Sequence, residues 1–295
     1  MMLNWKIKPG YKNIEEKAGK NKVVYLSFSA FEKLDFVKHA FSTRLGGVSK
    51  ANQSTMNLSF TKEPLNKNNV LENFSRMAEV LEVKIDDFVF THQTHTTNIR
   101  RAGLKDRGKG ITAALDYSDI DGLITDTPGV VLSAFFADCI PLYFADPAHK
   151  AVGLAHSGWK GTLDKIGAVL IAKMGEEFGT RPEDLIAGIG PGICQDCYEV
   201  SEEVAKKFKE VFITDKENAG FKALNPADIL RPGRKGHYYL DLWKTNEYIL
   251  INSGIKPENI YTAGICTRCN SNLLFSHRAM GEDRGNLAAF IGIKP

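Results

Sequence analysis

Asp138 and Cys139 stand together in an apolar stretch, and a His-Ser-Gly-Trp-Lys-Gly segment begins at His156. The residues between read as a hairpin: "IPLYFA", a "DPAHK" turn and the return run "AVGLAH". With Asp146 near Ala151, Pro141 falls opposite His156, so Cys139 and His156 emerge at one end, about one inter-strand spacing apart. Thiolate and imidazole are donors that zinc favours. An isolated Cys-His coincidence also fits a buried structural cysteine beside a satisfied core histidine. Two neighbours favour the site. Glycine-flanked amides at a helix start form an anion site, and Asp138 is a charge in apolar surroundings that needs a partner. A third ligand is offered by "HQTH", in which spacing does not distinguish His92 from His95. Three protein ligands with a fourth position open to water is the pattern of a catalytic zinc.

Four other cysteines, Cys194, Cys197, Cys266 and Cys269, form two CxxC pairs. Such pairs are frequent zinc ligands, although this separation far exceeds that of a zinc ribbon. They are either reduced, partly buried thiols or a second, structural metal site. A weak internal echo bears on this. "FGTRPEDLIAGIGPGICQDC" and "SGIKPENIYTAGICTRC" both run from a helix-ending glycine through Pro-Glu and a short strand to a CxxC. Two such units predict pseudo-duplication within one sheet system, which would bring the strand ends together.

The positioning elements are legible as alternating strands and helices. Strands are expected in "VVYLSFSAF" and "VKHAFSTR", in "DFVFTHQTHTTNI" with polar groups at its end, and on both sides of the turn in "DGLITDTPGVVLSAFF". Val70, Phe74, Met77 and Leu81 recur at helical spacing, as do Leu163, Ile166, Leu170, Met174 and Phe178 before Gly179. Further helices are expected over 201–212 and after an Asp241 N-cap as far as Gly254. Residues 214–237, polar and rich in Pro and Gly, are expected to be loop.

With 295 residues, 43% hydrophobic and 25% charged, the chain has ordinary globular composition. A net charge of +3 with scattered Lys and Arg carries no nucleic-acid stripe, and Asp138 and Pro141 interrupt the longest apolar run, so neither nucleic acid nor a membrane is an expected partner. With no apolar signal segment at the N-terminus and five cysteines, the expected setting is soluble and cytoplasmic.

In order along the chain, "HAFSTRLGGVS…MNL", "QTH", "ADCIPLYFAD", "AHSGWKG", "GPGICQDCYEV" and "LLFSHR…GEDRGN" resemble the YfiH-type laccase-domain family, also called polyphenol oxidase-like or purine nucleoside phosphorylase proteins. The resemblance runs over about residues 35 to 292 and implies an α/β (α+β) fold, a single layered α/β/β/α domain with mixed sheets. That domain would occupy 23–295 after an N-terminal extension over 1–22. It further implies that His95, Cys139 and His156 bind zinc and form the catalytic centre, with copper able to occupy the same ligands. The family's R-x-GG-V-S segment falls on Arg44, Gly46, Gly47 and Ser49, and its Ser-x-Arg on Ser276 and Arg278. His277 stands where an aromatic residue is usual and could touch the site.

The resemblance implies action on purine nucleosides: phosphorolysis of adenosine, inosine or methylthioadenosine, and deamination of adenosine. Arg44, Lys160, Arg278 and the amides after His156 are candidate phosphate holders, with Gln93, Asp138 and Ser157 as further substrate-side candidates. Asp138 also fits a supporting role behind Cys139. The alternatives are an amide hydrolase, zinc- or cysteine-dependent, that removes a wrongly added amino acid from cell-wall precursors; a copper-dependent phenol oxidase, for which seven histidines without HxH clusters are few; and a zinc-binding structural module.

Overall fold

The computed structural model describes residues 3–11, 13–214 and 225–295. Numbered along the chain, the strands β1 (Ile14–Ala18), β2 (Val24–Phe28), β3 (Val37–Ser42), β4 (Phe88–Phe90), β7 (Val131–Phe136) and β15 (Leu287–Ile293) make one sheet, in the order β1-β2-β3-β15-β7-β4. A second sheet runs β14 (Ile260–Thr262), β10 (Ile186–Ile189), β8 (Ile140–Asp146), β9 (Ala151–Ser157), β6 (Gly122–Thr125), β5 (Ile99–Arg101). Both sheets are mixed. The pairs β4–β7, β5–β6 and β10–β14 are parallel, and the rest antiparallel.

The side chains separate three apolar cores, as a layered α+β arrangement requires. Leu132, Ala134 and Phe136 of β7 meet Tyr143, Val152 and Leu154 of the second sheet between the two sheets. Helix α2 (Lys67–Leu81) covers the outer face of the first sheet with Val70, Phe74, Met77 and Leu81. Helices α4 (Ile166–Phe178) and α7 (Leu242–Asn252) cover the outer face of the second with Leu170, Met174, Ile249 and Leu250. Central strands covered on both faces read as continuous apolar runs, and every residue of β8, β9 and β15 is buried. Among the described residues, no helix is long and apolar enough to cross a membrane.

The hairpin expected over 140–156 forms in the expected register, Asp146 opposite Ala151 and Pro141 opposite His156. The two echoed units also meet: β10 and β14 are neighbouring parallel strands, each preceded by a short 3-10 turn that begins at Pro182 or Pro257. The N-cap at Asp241 is present, its carboxylate accepting from the Lys244 amide at 2.9 Å.

Other expectations need correction. The helix expected from residue 163 is two, α3 (Trp159–Leu163) and α4, because Lys165 adopts a left-handed φ of 58° between them. The expected strand at 87–99 ends at Phe90, since the side chain of Gln93, not the backbone, takes over the pairing with β7. Its Oε1 accepts from the Phe135 amide and its Nε2 donates to the Phe135 carbonyl, both at 2.8 Å. The two strands expected on either side of Thr127–Gly129 do form, as β6 and β7, and the turn carries the chain from one sheet to the other. The helix expected over 201–212 forms as α5 (Glu202–Lys209) followed by a π-helical turn, Glu210–Thr214. Of the expected loop 214–237, residues 215–224 lie outside the described residues. The remainder forms α6 (Pro226–Ile229) and β12 (Leu230–Pro232), which pairs with β13 (His237–Leu240) across a Gly-containing turn; β13 also pairs with β11 (Glu199–Ser201). Residues 14–18, placed by sequence in an N-terminal extension, supply the outer strand of the first sheet. A short α1 (Ser29–Glu32) follows β2.

His39 on β3 is a core histidine. Its Nε2 accepts the Phe28 amide at 2.8 Å, so the ring is neutral in the fold. Burial, and next the charge of Lys17, push it down to about 3. The unfolded chain takes up this proton below about pH 6.5, whereas the native state resists until near 3, so stability is full above that upper value and drains as pH falls between them. The loss expected from this group is on the order of 5 kcal/mol at the acid end. Urea unfolding between about pH 4 and 7 should show a steeper acid decline for the wild type than for His39→Gln, which keeps an acceptor for the Phe28 amide but cannot charge. Equal slopes would contradict this assignment.

Candidate functional site

The ends of the two sheets meet where His95, Cys139 and His156 converge. His95 lies in the turn after β4, Cys139 in the link from β7 to β8, and His156 near the end of β9. One ligand atom from each lies within 4.8 Å of the others, and the His95 and His156 ring centroids are 4.9 Å apart. Ligands around a tetrahedral zinc are roughly 3 to 4 Å apart, so side-chain adjustments close this set on an ion. Burial would raise the Cys139 thiol, but the His156 charge and the bonds from both histidines outweigh it and draw it down. Burial would lower His156, but Cys139 and then Asp121 hold it up. The set thus favours a thiolate, which is the metal-binding form.

Asp121, which sequence reading missed, organises this cluster. Its carboxylate accepts the backbone amides of Thr94, His95 and Thr96 at 3.0, 3.1 and 2.9 Å, and is 2.8 Å from His156 Nδ1. Successive amides around an anion form a nest, and this one holds His95 at a left-handed φ of 65°. Because Asp121 occupies Nδ1, His156 presents Nε2 to the cluster. Burial would raise the Asp121 carboxyl, but the His156 bond and the amides of Thr96 and Thr94 hold it down at about 2. Gly158 completes the fit: a Cβ there would lie 3.0 Å from Cys139 Sγ and from His95 Cδ2. The residues present therefore fit a metal ion.

A cavity of about 410 Å³ opens from this cluster. Its walls include Phe60, Phe90, Phe135 and Phe136, its rim Ser59, Thr61, His92 and Asn286, and Arg284 supplies a guanidinium. The buried Arg284 Nε has no hydrogen-bond partner among the described residues. Sequence reading passed over Arg284, Asn286 and the phenylalanines because they come from segments far apart in the chain.

Most substrate-side candidates lie elsewhere. Arg44 is spent on structure, donating to the Ser54 and Ser271 carbonyls and stacking on Phe275. Ser157 faces the helix layer, bonded to Thr162 and Asn246, because it alternates with His156 on β9. Asp138 accepts from Thr267 Oγ1 and the Arg278 amide, both at 2.6 Å, and so braces the turn beside Cys139 without lining the cavity. Lys160 is exposed near Trp159, and Arg278 reaches out to the Glu199 carbonyl and the Tyr198 ring. Ser49 is buried against Glu63. Ser276 caps α8 (His277–Met280), and His277 is exposed beside Glu282. Gln93 does line the cavity, with its amide held by Phe135. Of the two histidines that spacing left open, His95 joins the cluster and His92 sits on the cavity rim. His39, His149 and His237 are engaged elsewhere.

A two-sheet α+β fold with a Cys-His cluster at the seam defines the class, and comparison gives the family. The chain belongs to the multi-copper polyphenol oxidoreductase laccase family, whose model matches residues 38–294. Purine nucleoside phosphorylase YlmD of Bacillus subtilis is 34% identical over 258 residues, covering 86% of this chain and 87% of the relative. Adenosine deaminase RL5, from an unknown prokaryotic organism, is 32% identical over 272 residues, covering 89% and 97%. The solved structure of hypothetical protein YfiH from Bacillus licheniformis has a TM-score of 0.82 at 32% identity, covering 92% of this chain and 96% of that one.

Because Asp121 orients both histidines, Asp121→Asn should lower metal affinity about 10- to 100-fold while leaving the ligands in place. Competition with a chelator of known affinity would measure this, and unchanged affinity would show that the nest forms without the charge.

Proposed function

We propose that the protein is a zinc-dependent purine nucleoside phosphorylase that also deaminates adenosine in the same cavity. The observation that carries this reading is the cavity itself: four phenylalanines suited to a flat heteroaromatic base, a metal-competent cluster at its base and one inward guanidinium. The names of the relatives, phosphorylase and deaminase, point the same way.

His95, Cys139 and His156 would hold the zinc, which when bound supplies a Lewis acid and a means of activating water. Copper could occupy the same three donors. The chain's own groups account for the rest. In phosphorolysis a phosphate oxygen bonds to ribose C1′ while the bond to the purine nitrogen breaks, the electron pair leaving with the base. Arg284, in place of the surface cations expected from sequence, holds the phosphate through its free Nε donor. His92 Nδ1 accepts the Asp119 amide at 3.3 Å, which leaves its proton on Nε2 and able to reach the departing base. Asp121 and the nest at 94–96 fix the donors, so little reorganisation is needed during reaction. The substrates proposed are adenosine, inosine and methylthioadenosine. A multi-copper oxidase mechanism is less well served, because the remaining described histidines are dispersed.

Adenosine incubated with zinc-replete protein should give adenine and ribose 1-phosphate only when phosphate is present, and inosine without it. Cys139→Ala should lose both activities. Formation of neither adenine nor inosine by zinc-loaded protein would remove nucleosides as substrates.

The two reactions separate at Arg284. Arg284→Gln should raise the KM for phosphate about ten- to a hundredfold and leave deamination nearly unchanged. Equal loss of both in steady-state assays would assign Arg284 to the nucleoside instead.

A further inference from the structure

The two CxxC segments, which the cavity does not use, form a second cluster. Strands β10 and β14 run parallel and adjacent, so the loops that follow them leave at the same end, joined by a bridge between Gly192 and Cys266. Each loop then turns back: the Cys197 amide donates to the Cys194 carbonyl at 3.0 Å, and the Asn270 amide to the Cys266 carbonyl at 3.1 Å. These turns bring both cysteines of each pair to the same side. All four Sγ atoms lie within 4.8 Å of one another, with Cys197 and Cys269 at 3.5 Å.

Four sulfurs placed 2.3 Å from a central ion would be roughly 3.8 Å apart, which these mutual distances approach. The sulfur of Cys266 also accepts the amides of Cys194 and Cys269, at 3.3 and 3.5 Å. Such N–H to sulfur bonds support a metal-bound thiolate, whereas a neutral thiol is a weak acceptor. Cys194 and Cys266 are 2% and 0% exposed, so the charge of deprotonated sulfur there needs a buried cation.

We propose that Cys194, Cys197, Cys266 and Cys269 bind one structural zinc ion, separate from the cavity, that clamps the ends of β10 and β14. A closed set of four thiolates leaves no position for substrate, so the role is structural. It also bears on the first centre. The Ile193 amide donates to the Asp138 carbonyl at 2.9 Å and Thr267 Oγ1 to its carboxylate at 2.6 Å, so both clamped loops grip the residue next to Cys139. The clamp positions the turn that delivers that ligand.

Metal analysis of the full chain purified from zinc-supplemented culture tests this. Two zinc ions per chain are expected, and Cys139→Ala should retain one, with an X-ray absorption spectrum of four sulfur neighbours. Cys197→Ser/Cys269→Ser should lose that ion; if this variant does not fold, the first two measurements decide alone. Cys139→Ala without zinc, a retained zinc with nitrogen or oxygen neighbours, iron in place of zinc, or a Cys197–Cys269 disulfide in the native protein would each overturn the proposal.

Discussion

A buried carboxylate must be hydrogen-bonded throughout or it will not remain ionised, and Asp121 meets that demand with donors from two distant parts of the chain. Three consecutive amides, the Thr96 hydroxyl and the His156 ring all reach it. Satisfying the charge therefore fixes the turn after β4 and the ring at the end of β9 together. The left-handed backbone at His95 has its cause here, since a nest around an anion needs such a residue. Strain at a ligand is held by a charge that would itself be costly to bury alone.

The hairpin of β8 and β9 separates two environments by strand alternation. Val152, Leu154 and His156 face the first sheet, while Ala151, Ala155 and Ser157 face the helices. His156 and Ser157 are adjacent in sequence yet serve different layers. The next residue, Gly158, leaves the ligands room.

Where one local pattern governed, the sequence was readable. Apolar runs bounded by turn residues located β8 and β9 and their register, helical spacing located α2 and α4, and the Asp241 cap located α7. The family resemblance chose His95 over His92, and the echo of two helix-strand units anticipated the meeting of the CxxC loops. What was hidden depends on long-range partnership. Asp121 lies 35 positions from His156 and has no motif of its own. Arg44 looked like an anion holder because its type and setting suit one, but carbonyls that only the fold brings near consume its donors. The strands β12 and β13 are short and polar, so their pairing left no periodic trace.

The location of the cluster carries a consequence for how the molecule is assembled. His95 follows a strand of the first sheet, His156 ends a strand of the second, and Cys139 lies in the crossing between them. Neither sheet alone contains the set, so an ion held there binds the docked pair in preference to either undocked sheet. Its binding energy would then be cohesion between layers. An ion in the first centre would act as a fastener across the sandwich, and its occupancy would report whether the two sheets have come together.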